Sequence, residues 1–172
     1  MLAEDASAVF PSMKFLRDLS IRLLVTCLLP WVAWWVRRHE HLILITGRPL
    51  EPHEMNWAIK VGVHQVGRIR ILRIPEIPMP APHWIQRLGD RFSFACHAPA
   101  GMTLGHGIYV SDACADEPSL LIHEFVHVGQ YERLGSLKSF LRQYLRECLT
   151  VGYESAPLER EARDRTSAIL GT

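Results

Sequence analysis

The sequence predicts an α+β fold in which a short antiparallel or mixed sheet packs against helices. Three observations predict it. Residues 68–74 alternate charged and apolar side chains with the period of two that marks a strand. Residues 120–130 form an apolar run with helical spacing, and two further helical segments follow it. A separate apolar, tryptophan-rich segment near the N-terminus predicts another helix.

Composition narrows the class of protein. The chain has 172 residues, 48% of them hydrophobic, so it can bury one real core. Its formal charge is +1 with acidic and basic residues interspersed, so no nucleic-acid partner is expected. The four cysteines form no C-x-x-C pair, which favours a reducing compartment. We therefore expect a cytoplasmic or peripherally membrane-associated protein.

Residues 15–36 are strongly apolar. The uncharged stretch from Leu23 to Val36 has 14 residues, fewer than the ~20 that span a bilayer, and Pro30 interrupts it. Trp31, Trp34 and Trp35 would suit a helix in a membrane interface. Three interpretations stay open: a helix packed on the domain or on a partner, an interfacial or short membrane anchor, and a cleaved signal.

The break at residues 47–49 divides the chain into an apolar N-terminal segment, 1–46, and a second domain, 47–172. Residues 39–47 either extend the first helix or form a strand. A short helix over 51–61 is predicted to turn Met55, Ile59 and Trp57 inward. The strand over 68–74 is predicted to bury its isoleucines and expose its arginines.

The next segments alternate between connectors and short elements. Residues 75–82 are rich in proline and predict an extended connector, followed by a short helix at 84–88 and a strand at 92–95. A glycine-punctuated β segment covers 101–110. Pro118 suits the first turn of a helix that Asp116 or Glu117 caps. Ser136 caps a helix over 137–149, and Pro157 opens the last one.

His123-Glu124-x-x-His127 lies in the central helical run. The two histidines are four residues apart, so they project from one helix face about a turn apart and can share one tetrahedral metal ion. Glu124 lies beside the first histidine, where its carboxylate can accept a proton from water. The rest of the helix is apolar, so unpaired polar side chains there would be costly to bury. The alternative is a hydrogen-bonded pair of core histidines.

A catalytic zinc ion needs three protein ligands and one open position. Leu134 stands where the longer H-E-x-x-H-x-x-G-x-x-H motif has its third histidine, so a carboxylate is expected instead. Glu154, Glu159 and Glu161 are the downstream candidates. Glu159 begins a Glu-x-x-Ala helix start, and the small Ala162 leaves room for close packing against the metal helix.

The segments TLGHGIYV, LLIHEFVHVGQYERLG and YESAPLEREA together resemble the gluzincin-type peptidases of the DUF4157-like group, over residues 101–162. The resemblance implies a small zincin-like domain with Zn²⁺ bound by His123, His127 and Glu159, and with Glu124 as general base. Thermolysin-like enzymes carry an Asp one turn after the ligand Glu, whereas Arg163 stands there here. The residue that orients the first histidine is therefore unassigned, and Glu161 stays an alternative ligand.

The predicted function is a zinc-dependent peptidase that acts on a peptide or protein substrate. The strand around Gly107, Ile108 and Tyr109 either binds an extended substrate along an open edge or is an ordinary edge strand. Tyr153 or His106 would donate a hydrogen bond to the oxyanion. The alternative is a non-catalytic, zinc-stabilised binding or scaffold protein, which is membrane-associated if the N-terminal helix lies in a bilayer. A structural zinc site has four protein ligands and no open position.

Overall fold

The computed structural model describes residues 13–80 and 99–171. This part of the chain contains five helices: α1 (Met13–Thr46), α2 (Pro52–Lys60), α3 (Pro118–Arg133), α4 (Leu137–Val151) and α5 (Pro157–Leu170). Its strands are β1 (Arg48–Pro49), β2 (Arg70–Ile74), β3 (Gly101–Leu104) and β4 (Gly107–Ser111). The predicted α+β class is thus confirmed. The helix predicted at 84–88 and the strand predicted at 92–95 lie outside the described residues.

The four strands form one mixed sheet in the order β1-β2-β4-β3. β2 and β4 are parallel, while the β1–β2 and β3–β4 pairs are antiparallel. β3 and β4 form a hairpin whose turn contains Gly105 at φ +67°, in the left-handed region. A side chain at Gly105 would also collide with the carboxylate of Glu40, so the turn requires glycine.

Helices cover both faces of the sheet. On the first face, Ile71, Ile108 and Val110 pack with the buried side of α3, where Phe125 and Val126 are fully buried. On the second face, Tyr109 and Leu104 pack against α1 and α4. Successive residues of β4 therefore serve two different cores, because side chains alternate across a strand.

α1 is a single helix of 34 residues that runs through Pro30 and continues to Thr46. Residues 39–46 therefore extend the helix and do not form a strand. Ile43 is fully buried against the sheet, close to Gly107, where an added Cβ atom would lie only 3.0 Å from it. By length and composition α1 could cross a membrane, although a core helix or a signal sequence passes the same test.

The prediction that Met55 and Ile59 of α2 face inward is wrong. Met55 and Ile59 are 36% and 61% exposed, whereas Ala58 and Glu54 are buried. The reason is an ion pair: Arg48, on β1, donates two hydrogen bonds to the Glu54 carboxylate, at 2.8 and 2.6 Å, and so turns that side of α2 toward the sheet. Trp57 is partly buried against the first core.

The predicted faces of the 68–74 segment need a correction. Ile69 and Ile71 are buried as expected, but Arg70 and Ile74 are both half-buried on the opposite face. That face is not open to water because α1 covers it. Arg73, at the end of β2, is exposed and forms an ion pair with Asp116 at 2.6 Å.

The predicted helix starts are confirmed. Pro118 lies in the first turn of α3, after Glu117 at the N-cap position, although the Glu117 side chain makes no capping hydrogen bond. Ser136 caps α4 by accepting a hydrogen bond from the backbone of Ser139 at 3.1 Å. Pro157 lies in the first turn of α5. These local signals fix where the three helices around the candidate site begin.

Candidate metal centre

Three side chains converge between α3 and α5. The Nε2 atoms of His123 and His127, one turn apart on α3, are 3.1 Å from each other. Glu159, in the first turn of α5, places Oε2 3.2 Å from His123 Nε2 and Oε1 3.3 Å from His127 Nε2. One potential ligand atom from each residue lies within 4.8 Å of the others, so the cluster could hold a metal ion. His127 and Glu159 are buried, and His123 is partly exposed.

The packing of α5 along α3 places Glu159 in the cluster. Ala162 is fully buried at this contact, and its small side chain lets the helices approach closely. Glu147 of α4 accepts a hydrogen bond from the backbone N–H of Leu158 at 2.9 Å, which ties α4 to the start of α5. A carboxylate at a helix N-terminus is also favoured by the helix dipole. Together these contacts hold Glu159, which follows Leu158, over His123 and His127.

The other two carboxylate candidates lie elsewhere. Glu161 accepts two hydrogen bonds from Arg133, at 2.8 and 2.7 Å, and one from Gln130. Glu154 lies at the surface beside Arg163 with its side chain 85% exposed. Of the three predicted candidates, the structure brings only Glu159 to the histidines.

Gln130 sets the orientation of His127. Its amide nitrogen donates to the Leu158 carbonyl at 2.9 Å and to Glu161 at 3.1 Å. The amide oxygen is then left to accept a hydrogen bond from His127 Nδ1 at 2.9 Å. Because an amide oxygen can only accept, Nδ1 carries a proton and Nε2 is the nitrogen that faces the cluster, which is the arrangement of most metal-binding histidines.

Tyr144 of α4 holds the carboxylate of Glu159 in place by donating a hydrogen bond to its Oε1 atom at 2.7 Å. The other oxygen, Oε2, is buried without a hydrogen-bond partner. Burial alone would raise the pKa of Glu159, but the adjacent imidazoles of His123 and His127 outweigh it and hold that pKa well below its usual range. Glu159 is therefore an ionised carboxylate with one unused acceptor facing the imidazoles.

Glu124 lies where α3 approaches β3. Thr103 of β3 donates a hydrogen bond to the Glu124 carboxylate at 2.7 Å. A Cβ atom added to Gly101 would lie only 2.7 Å from Glu124 Oε1, so the absence of a side chain there makes room for the carboxylate. β3 thus fixes the position of the predicted general base beside His123.

The two predicted oxyanion donors have different surroundings. Burial and then the charges of Glu159 and Glu124 raise the pKa of Tyr153, so its hydroxyl stays protonated. Tyr153 is 48% exposed. His106 is buried and bonded to Glu132 at 2.9 Å, near the far end of α3. His106 therefore belongs to a separate polar contact.

The strand at the edge of the sheet is not the one predicted. Gly107, Ile108 and Tyr109 belong to β4, which is paired on one side with β2 and on the other with β3. These residues therefore do not offer an open edge. Among the strands the structure describes, β3 is the outer one beside α3. A cavity lined by Arg48 and Trp57 at the start of α3 includes none of the three cluster residues.

Sequence reasoning missed two positioning residues. Tyr144 fits the helical apolar face of α4, and that pattern hides its hydroxyl. In the sequence, Thr103 is an ordinary β-branched strand residue, and nothing there indicates its contact with Glu124. Gln130 was not missed: with Tyr131 it is predicted to lie behind the ligands or in the groove wall, and it lies three residues after His127 on the same helix face.

Comparisons with protein-family models, with curated proteins and with solved structures each returned no match. The resemblance to gluzincin-type peptidases therefore stays a prediction from the sequence motifs.

Proposed function

We propose that the protein is a zinc-dependent hydrolase of the zincin-like, gluzincin type, and that it cleaves peptide bonds. The observation that carries the proposal is the convergence of His123, His127 and Glu159 beside the positioned carboxylate of Glu124. Two imidazoles and one carboxylate are a common ligand set of catalytic zinc ions in peptidases.

The spacing of the ligand atoms supports zinc. Ligands about 2.0–2.1 Å from a tetrahedral ion are about 3.3 Å from one another. The Nε2 atoms of His123 and His127 are 3.1 Å apart, and each lies 3.2 or 3.3 Å from a different oxygen of the Glu159 carboxylate. The unpartnered Oε2 of Glu159 is accounted for if it faces an ion.

The number of ligands favours catalysis over a structural role. A structural zinc ion is closed by four protein ligands, whereas a catalytic one keeps a position for water. Within residues 13–80 and 99–171, the cluster consists of three side chains. The proposed site therefore leaves one coordination position for solvent or substrate.

The chemistry divides among the chain's own residues. A zinc ion bound here supplies Lewis-acid polarisation of the substrate carbonyl and activation of water. Glu124 accepts the proton that water loses on attack and delivers it to the amine that leaves when the C–N bond breaks. The Tyr153 hydroxyl donates a hydrogen bond to the developing oxyanion. Water is thus added across the peptide bond with no other reactant.

The outer edge of β3 is the proposed substrate platform. Ser111 N–H donates to the Ala100 carbonyl at 2.8 Å. Because hydrogen-bonded pairs alternate along an antiparallel ladder, Met102 also bonds toward β4, while Gly101 and Thr103 direct their backbone groups outward. An extended peptide added along this edge would pass Glu124, which both residues contact.

The test uses two variants of the purified full chain. Glu124→Gln keeps the size of the side chain and removes the base, so we expect bound zinc at the wild-type level and loss of peptidase activity on unfolded protein substrates. His127→Ala removes a ligand, so we expect loss of both zinc and activity. Metal analysis and assays with and without a chelator measure the two properties. Full activity in Glu124→Gln would reject the mechanism, and a wild-type protein that binds no zinc would reject the function.

A further inference from the structure

α1 has one face that packs onto the rest of the protein. The buried residues of its middle part recur at helical spacing and lie in one strip along the helix. They are Val25, Leu29, Ala33 and Val36. Most of this strip packs in the same core as Phe140 and Leu141 of α4, so α1 and α4 lie against each other.

The opposite face of α1 is apolar and exposed. Five bulky side chains on this face have between 38% and 59% of their surface exposed. Two of them are tryptophans whose rings stack with their centroids 5.3 Å apart. The five are Leu23, Leu24, Leu28, Trp31 and Trp34. No charged residue occurs between Leu23 and Val36. An apolar surface of this extent, rimmed by charge, marks an interaction site.

The charge around this surface is positive. α1 carries five basic and two acidic residues, and the adjoining α4 carries three basic and one acidic, although the whole chain has a formal charge of only +1. Lys14, Arg22, Arg37 and Arg38 are all exposed, and none forms an ion pair within the part of the chain described. Long basic side chains beside exposed tryptophans are typical of helices that bind anionic membrane surfaces.

We propose that the exposed face of α1 binds the surface of an anionic lipid bilayer, with the helix lying in the plane of the interface. α1 lies in the plane because α4, with the exposed Lys138, Arg142 and Arg146, packs along its buried face. Crossing the bilayer would carry those three charges toward hydrocarbon at a high cost. This attachment does not depend on the proposed hydrolytic function.

The experiment is flotation of the full chain with vesicles of phosphatidylcholine, with and without phosphatidylglycerol. We expect flotation with the vesicles that contain phosphatidylglycerol and little with pure phosphatidylcholine. The variant Leu23→Gln/Leu24→Gln/Leu28→Gln keeps good helix formers but removes apolar surface. We expect it to lower the bound fraction roughly tenfold or more, because partitioning scales with buried apolar area. Metal content and circular dichroism, measured on the same samples, report separately on the site and the fold.

The matched control is Ile59→Gln, at a 61% exposed position on α2, outside the proposed binding face. It should float as the wild type does. Three results would overturn the proposal: no flotation with either vesicle, equal binding to both, or a dimer that the triple variant dissociates without any vesicle binding. Protease protection of an N-terminal tag inside the vesicles would show that α1 crosses the bilayer and would reject its in-plane position.

Discussion

At the scale of single residues, two of the three members of the metal cluster, His127 and Glu159, each have a partner outside the cluster that fixes the position of a ligand atom. Gln130 fixes the proton of His127 on Nδ1, and Tyr144 holds one oxygen of Glu159. These partners come from different helices, and neither can bind a metal ion strongly itself. The precision of the cluster therefore depends on side chains outside it.

Gln130→Ala should weaken metal binding without removing any ligand. Loss of the amide oxygen frees the His127 ring to rotate or to change tautomer. Metal affinity should fall about 10–100-fold, as is usual when such an orienting hydrogen bond is removed. Competition with a chromogenic chelator measures it, and Gln65→Ala, at an exposed position, is the control. Unchanged affinity would show that packing alone orients the ring.

Two tyrosine variants should separate positioning from catalysis. Tyr144→Phe removes the hydrogen bond to Glu159, so we expect weaker metal binding by roughly tenfold or more. Tyr153→Phe should leave metal affinity unchanged and lower kcat by about 10²-fold, as does loss of one oxyanion donor. Each variant is the other's control, since each removes one hydroxyl group near Glu159. A reversal of the two effects would contradict these roles.

At the scale of elements, the site depends on the contact between α3 and the edge strand β3. Thr103 contacts both the carboxylate and the backbone carbonyl of Glu124, so strand and helix are joined at the general base. Gly101, two residues earlier and on the same face, leaves the space that the carboxylate fills. The strand that would bind substrate thus also positions the proton acceptor.

Gly101→Ala should impair hydrolysis while the fold survives. The new Cβ would meet Glu124 Oε1 at 2.7 Å, and the flexible carboxylate can move away from it at little cost in stability. We expect kcat to fall at least tenfold, with normal zinc content and an unchanged melting temperature. Gly67→Ala is the matched control, because no atom lies within 4 Å of the added Cβ there. A wild-type kcat in Gly101→Ala would contradict the proposed role of Glu124 as general base.

At the scale of the whole molecule, α1 contributes to the core that supports the sheet. Ile43 and Trp35 are buried with Tyr109 in the second core, and Tyr109 shares a hydrogen bond of 2.9 Å with His39. The C-terminal part of α1 is therefore structural, whereas its middle and N-terminal parts expose apolar surface. One helix thus serves both the fold and the proposed membrane contact.

Ile43→Ala should destabilise the protein by about 2–4 kcal/mol, because it removes a fully buried side chain and leaves a cavity against the sheet. Ile45→Ala, on the same helix but 68% exposed, should change the free energy of unfolding by less than about 0.5 kcal/mol. Urea denaturation followed by circular dichroism measures both. Equal effects at the two positions would mean that α1 does not pack on the sheet as described.

The sequence alone determined the local features. The spacing of His123 and His127, the start of α4 at Ser136 and the proline in the first turn of α3 all follow from residues close together in the chain. Helix periodicity and capping act over three or four residues, so short motifs encode them. The grouping of the two histidines on one face could be predicted for this reason.

Only the tertiary structure decided which distant groups meet. It selected Glu159 over Glu161, made β3 rather than β4 the edge strand, and brought Tyr144 to the cluster. These outcomes depend on how α4 and α5 pack on α3 and on which side of β4 each neighbour pairs. Such contacts join residues far apart in the chain, and their energies depend on the packing of the whole core, which no local pattern records.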